Sequence, residues 1–322
     1  MALSVNIDLH QMAAEIKSFG RHLGFDLVGI ASAEPSHYRD YLRQWLDDGQ
    51  AGSMGYLQKR FDERTDPAIY VPGAQSVVCV AMNYHVPLEE LPAEDQKDHG
   101  RVARYALGDD YHDVLKTRLH QLADRIRDLA PEARTRAAVD TAPVMEKELA
   151  ARAGIGWLGK NTCIINENIG SWVFLGEIIT TLALPPDEPA VDRCGTCTRC
   201  IDACPTHAIT EPYQLDARRC ISYLNIEHRT PLDESIGSEL ANWLYGCDIC
   251  QDVCPWNKRA PDSVEPAFQP RFPTSTIDLR QLLLWNDEQY RGNLRGSAMK
   301  RVKLPILQHN ARLLMESSRS RE

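Results

Sequence analysis

Apolar positions over the first 185 residues follow two rhythms. Spacings of three and four run through "LHQMAAEIKSFGRHLGF", "YRDYLRQWLDDG" and the long "DDYHDVLKTRLHQLADRIRDL", and each predicts an amphipathic helix. Between them lie short apolar or alternating runs, "DLVGIAS", "SVVCVAMNY", "TRAAVD", "NTCIIN" and "SWVFLGEIITTLAL", which predict strands. Helices and strands mixed in this way predict an α/β (α+β) body. The pattern lapses at "LPPDEPAVDR", 184–193, a boundary signal. Beyond it cysteines dominate 194–260, and two helical patterns, "IDLRQLLLW" and "LPILQHNARLLM", follow. The expected division is 1–185, then 186–262, then a short helical segment over 263–322.

Composition narrows the class. Of 322 residues, 25% are charged and 43% apolar, as in soluble globular proteins. The opening "MALSVNIDLHQMAAEIK" lacks a basic segment leading into an apolar run, so no signal peptide is expected. "WVFLGEIITTLALP" is too short for a membrane span and contains Glu177. The expected setting is the reducing cytoplasm, with no membrane partner. Eight of ten cysteines lie between Cys194 and Cys254, and clustered thiols in such a compartment read as metal or redox ligands. Cys79 and Cys163, in strand-like runs, are expected to be buried and inert.

The spacing of the eight is informative. "CGTCTRCIDACP" gives C-x-x-C-x-x-C-x-x-x-C-P. Structural zinc uses two ligand pairs around one tetrahedron; this run instead wraps one corner of an iron–sulfur cubane and sends its fourth cysteine to a second cluster. "CDICQDVCP" repeats the second half, with its first cysteine displaced to Cys220 in "ARRCISYL". The crossed assignment places Cys194, Cys197, Cys200 and Cys254 on one [4Fe–4S] cluster, and Cys204, Cys220, Cys247 and Cys250 on the other. The insertion between Cys220 and Cys247 is expected to form a lip over a neighbouring site.

Two motifs read as decoys. "GIGWLGKN" matches G-x-G-x-x-G and nearly a P-loop, but a helical pattern precedes it and a strand pattern follows, the reverse of what phosphate binding needs. "DYHDVL" approaches a cobalamin-ligating D-x-H-x-x-G, with Leu115 in place of glycine. Asp109 and Asp110 there are simpler as helix caps, and His112 is not expected to ligate metal.

Charge is uneven. The net value is −9, yet from Arg291 onward eight basic residues face Glu316 and Glu322. A +6 segment on a body of −15 is either a nucleic-acid contact or a solvated, frayed terminus.

At "VDTAPVMEKELAARAGIGWLGKN", with the cysteine pattern and "LYGCDICQDVCPWN", the chain resembles the epoxyqueuosine reductase family from about residue 10 to about 300. The resemblance implies a nitroreductase-like cobalamin domain joined to a two-cluster ferredoxin-like domain. It implies reduction of epoxyqueuosine to queuosine at the tRNA wobble position. Single electrons from an external donor would pass through two [4Fe–4S] clusters to cobalamin, and the reduced cobalt would attack the epoxide-bearing ring. An acid would protonate the oxygen before water leaves. Asp140 in "VDTAP" matches the family's proton donor; on position alone a helix cap ahead of Pro143 serves equally. As donor it should have its pKa raised by burial. Arg64, Asn161, Ile164, Ser222 and Asp248 match or flank cofactor-contacting positions. Two departures stand out: Ala103 replaces a cysteine of some relatives, and the chain stops short of a C-terminal helical-repeat domain that helps others hold the tRNA anticodon loop. A monomer is expected. A reductive-dehalogenase-like enzyme for small molecules and a plain ferredoxin-type carrier remain alternatives.

Overall fold

The structure, a computed structural model, describes residues 8–88, 91–92, 96–272 and 274–319; Arg321 and Glu322 of the basic segment lie outside them. The first half supplies α1 (Leu9–His22), β1 (Leu27–Ser32), α2 (Arg39–Asp47), β2 (Ser76–Asn83), β3 (His99–Val102), α3 (Tyr111–Leu129), β4 (Thr135–Ala138), α4 (Glu146–Arg152), β5 (Trp157–Leu158), β6 (Ile164–Ile165) and β7 (Val173–Thr180). The second half adds β8 (Ile209–Glu211), β9 (Gln214–Leu215), β10 (Trp243–Tyr245), β11 (Thr276–Asp278), α5 (Leu279–Leu284) and α6 (Leu304–Arg319). No helix among the described residues is long and apolar enough to cross a membrane.

An antiparallel sheet in the order β1-β2-β7-β4 centres the first body. All eight residues of β2 are buried, because both faces of the sheet are covered. Val78, Val80 and Met82 pack with Leu115, Leu119 and Leu122 of α3 and with Met12 and Ile16 of α1. The alternate residues Val77, Cys79 and Ala81 face Leu149 and Ala150 of α4. Gly29 of β1 lies so close to α4 that a Cβ there would collide with the Ala153 carbonyl.

The second body draws on distant parts of the chain. β3 is paired on one side by β10, in parallel, and on the other by β11. Val102 and Ala103 share a core with Trp243, Leu244 and Tyr245, with Leu279 and Leu282 of α5, and with Leu307, Ala311 and Leu314 of α6. The C-terminal helix is therefore an integral wall rather than a frayed terminus: Leu307 and Ala311 are fully buried. The stretch between Cys220 and Cys247 likewise supplies core, through Leu232, Leu240 and Trp243, so most of it does not stand as a lip.

The "GIGWLGKN" run forms the β5–β6 hairpin. Lys160 turns from solvent and donates to the carbonyls of Gly195 (2.6 Å) and Cys197 (3.0 Å). It braces the cysteine loop and leaves no helix N-terminus for phosphate.

Candidate active site

The eight clustered cysteines fall into two neighbourhoods. A cavity of about 260 Å³ is lined by Cys194, Cys197, Cys200 and Cys254, with Lys160 and Trp256 at its walls. Cys204, Cys220, Cys247 and Cys250 lie elsewhere, close enough to perturb one another electrostatically. The short helices Arg199–Asp202 and Ile249–Asp252 pack together, which lets the last cysteine of each run reach the other's partners. Asn225 clamps the second run: its side-chain NH2 donates to Gly246 O and its oxygen accepts from Gly246 N–H, both at 2.9 Å. Gly246 has φ +69°, and a Cβ there would collide with the Ala103 methyl. Ala103 is fully buried in the core.

Burial pushes the Cys200 thiol up to about 11, so iron must displace the protons to be bound as thiolate. The donor set fits: four sulfurs line the first cavity and four more gather in the second neighbourhood, and zinc-type paired spacing is absent from the first run. Cys79 is fully buried, as its strand requires. Cys163 is only half-buried and lies against the Cys250 sulfur, so it is less isolated than expected.

Asp140 sits in the loop between β4 and α4 with φ +48°. It caps no helix, because α4 begins only at Glu146 with Met145 before it. Its Oδ2 lies 3.0 Å from Nε2 of His112, whose Nδ1 is 2.7 Å from Asp110 Oδ1. Asp110 also caps α3 through the His112 N–H, which places the imidazole in the first turn, facing the loop. Burial alone would lower the His112 pKa; the hydrogen bonds from Asp110 and Asp140 outweigh it and raise it to about 9. Asp140 moves oppositely from expectation. Burial raises its pKa, but the hydrogen bond and charge of His112, with a bond from Tyr111, hold it below the usual carboxylate value. At neutral pH the proton of this pair rests on His112. Sequence reasoning set His112 aside after testing it only as a metal ligand; the signal missed was that a capped helix start presents its second residue to whatever loop covers it.

Arg64 shares this neighbourhood, in electrostatic contact with Tyr56, Glu146 and Asp140. Burial depresses its pKa, and its buried Nε has no hydrogen-bond partner among the described residues. An orphaned guanidinium N–H suits a macrocycle edged with amide carbonyls, so the residues fit cobalamin at this point. The other expected contacts are more occupied. Asn161 donates to Cys250 O (3.3 Å) and accepts from Cys163 N–H (3.2 Å). Asp248, 1% exposed, accepts from the Arg104 backbone (2.8 Å) and side chain (3.2 Å); burial lifts its pKa to about 6 despite Arg104. Ile164 is 3% exposed and Ser222 half-buried.

On the far side of the loop a cleft of about 460 Å³ is lined by Arg60, His112, Lys116, Arg136, Thr141 and Pro143, among others. Arg301, from the basic segment, is not free for phosphate. It forms two 2.9 Å hydrogen bonds to Glu227, beside Tyr56. Lys300 and Lys303 are exposed.

Residues 64–141 match the family described as "Epoxyqueuosine reductase QueG, DUF1730", and 193–257 match a "4Fe-4S double cluster binding domain". An epoxyqueuosine reductase of Xanthomonas campestris pv. campestris is 44% identical over 292 residues, covering 90% of this chain and 82% of that protein. The chain belongs to the epoxyqueuosine reductase family. Another member, from Gloeobacter violaceus, is 45% identical and covered over 96% of its length, so at least one relative shares the shorter extent. The crystal structure of an epoxyqueuosine reductase with an epoxyqueuosine-modified tRNA-Tyr stem loop superposes with a TM-score of 0.90 at 32% identity, covering 97% of this chain and 82% of that one. The Bacillus subtilis enzyme, solved with its catalytic aspartate loop swung out of the active site, gives 0.89 at 31% identity over 97% and 82%. The mixed α/β fold with its double-cluster domain is thus that of epoxyqueuosine reductases.

Two outcomes are expected at this site. His112 should remain protonated until pH rises through about 9, and Asp140→Asn should lower that midpoint toward the ordinary ~6.5; titration of the imidazole by NMR measures both. Iron and sulfide analysis of anaerobically prepared Cys254→Ser should show one damaged cluster, with the spectral signature of the Cys194–Cys197–Cys200 site.

Proposed function

We propose that this chain, acting as a cytoplasmic monomer, reduces epoxyqueuosine to queuosine at the wobble position of tRNA. An external one-electron donor would feed two [4Fe–4S] clusters and, through them, a bound cobalamin. The observation that carries the reading is the His112–Asp140 pair beside the unpartnered Arg64, in a chain of this family. The electron-carrier alternative gives no role to a proton-loaded pair, and the dehalogenase alternative does not suit a chain of a tRNA-modifying family.

In the proposed assignment, Cys194, Cys197, Cys200 and Cys254 hold one cluster, and Cys204, Cys220, Cys247 and Cys250 the other. Arg64 would hold cobalamin through its Nε–H, with Ser222 and the edges of Asn161 and Ile164 alongside; Asp248 would act by fixing Arg104. Cobalamin, when bound, supplies reducing equivalents to the epoxide-bearing ring. The chain's own residues manage protons. Asp110 keeps Nδ1–H of His112 in place, so the transferable proton is the one on Nε2, aimed at Asp140 Oδ2. As negative charge develops on the epoxide oxygen, that proton moves onto Asp140 and then to the oxygen, leaving a neutral His112 still bonded to Asp110.

Asp140→Asn keeps the side chain's size but cannot carry the proton. Its turnover of tRNA bearing epoxyqueuosine should fall by about 10²–10⁴-fold, while cluster content and the corrin absorption survive. Turnover near the wild-type rate would remove Asp140 from the chemistry.

Exposed Lys300 and Lys303 and the cleft around Lys116 and Arg136 are the proposed tRNA phosphate contacts. Neutralising Lys300 and Lys303 together should weaken tRNA binding and flatten its logarithmic salt dependence by about 0.7–0.9 per lost contact. Affinity at two salt concentrations measures it; unchanged slopes would leave the binding to the cleft.

A further inference from the structure

Opening an epoxide to an alkene consumes two electrons and two protons: both C–O bonds break, the double bond forms, and the oxygen leaves as water. The His112–Asp140 pair carries one proton. Asp140 is 54% exposed, but on the proposed reading that open side is where the modified base sits, which shuts off bulk water. A second proton must then come from the protein side.

Directly behind Asp140 stand two carboxyl groups that the steps above do not use. Glu177, in the middle of β7, is registered between Cys79 of β2 and Ala138 of β4. It is fully buried, and its carboxyl meets no N–H donor among the described residues, only the carboxyl of Glu146. Glu146, the first residue of α4, lies beside it, and its Oε1 accepts the backbone N–H of Asp140. The groups facing the pair are mostly acidic or neutral: Asp140 from the loop, Tyr111 from α3 and the Cys79 thiol from β2. Lys147 of α4 and Arg64 are the cations that act on Glu146. Two like carboxyls in a buried space cannot both ionise, so they retain a proton between them. Burial and the charge of Asp140 raise Glu146 to about 8, and burial with Glu146 raises Glu177 well above its ordinary value.

We infer that Glu146 and Glu177 form a proton-holding pair that reloads Asp140 with the second proton of the reaction. The inference rests on Asp140 being the donor. After Asp140 has protonated the epoxide oxygen once, Glu146 passes its proton to the Asp140 carboxylate, and the oxygen takes it and departs as water. Glu177 keeps a proton of its own, so the pair carries one charge, on Glu146, until solvent restores it on product release. Simple bracing of the Asp140 loop requires only Glu146; nothing in that role calls for a second buried carboxyl on the strand beneath. Glu177 is therefore the discriminating residue.

The test uses Glu177→Gln in the fully reconstituted enzyme. The glutamine is nearly isosteric and leaves the Glu146–Asp140 bond intact, but its amide is a weaker donor than the Glu177 carboxyl, whose hydrogen bond lowers the Glu146 pKa. Single-turnover reduction should slow by about 10-fold or more. The wild-type rate should fall as pH rises through about 8, because Glu146 then loses its proton, and in the variant, without the Glu177 bond that lowers Glu146, this fall should begin at higher pH. Infrared spectra of the resting enzyme should show a protonated-carboxyl band at neutral pH that persists in Asp140→Asn and weakens in Glu177→Gln, where only Glu146 contributes. Absence of that band from the wild type, or a variant with unchanged rate and pH profile, overturns the inference. Should Glu177→Gln fail to fold, weakening of the wild-type band through about pH 8 decides alone. An Asp140→Asn enzyme that still turns over would instead sink the donor reading, with the band untouched.

Discussion

His112 stands between two carboxylates, and the disposition of the site follows from those two contacts. Asp110 is spent twice, once on the His112 backbone N–H at the start of α3 and once on the imidazole. Helix start, ring orientation and tautomer are thereby settled by a single side chain. The ring in turn reaches a loop whose key residue has a left-handed backbone, a conformation that costs about 1–3 kcal/mol outside glycine and persists only where surrounding contacts hold it. His112 on one side and Glu146 on the other supply those contacts. Proton placement and loop placement are one problem here, solved by the same pair of bonds.

The electrostatic pattern widens outward from that point. Negative groups crowd beneath the loop, Glu146 and Glu177, while Arg64 and Arg301 stand to its sides. An acid that must be reloaded is served by neighbours reluctant to ionise. Beside the second cysteine group, the side chains of Asn161 and Asp248 are already engaged. Those residues hold backbone in place; the Arg64 Nε–H is an open hydrogen-bond donor.

Much of this could be read from the chain in advance, and the rest could not, for definite reasons. Local periodicity sufficed for α1, α3, β1, β2 and β7, whose apolar residues repeat at the spacing of the element they form. The inverted setting of "GIGWLGKN" was equally local, and the hairpin there agrees with it. What escaped were properties created by distant partners. Asp140 was expected to be a carboxyl with a raised pKa because burial was weighed without His112, 28 residues away in sequence. Arg301 counted as a loose positive charge because nothing near it in sequence announces Glu227. The C-terminal helix looked like a tail because its apolar stripe says that it packs, but not against what. Glu177 was noticed only as an obstacle to membrane insertion.

The strand β3 has a consequence for how the molecule is made. Its two neighbours in the sheet are β10, which lies between Cys220 and Cys247, and β11, close to the C-terminal helix. Leu244 next to that strand packs in the same cluster as Leu307 and Ala311. A nascent chain can complete the sheet of β1, β2, β4 and β7 early, since all four are translated before residue 181. The seat of the second cysteine group has no such independence, for its supporting strand lacks a finished wall until α6 has left the ribosome. Iron is therefore best delivered to this protein after translation has all but ended.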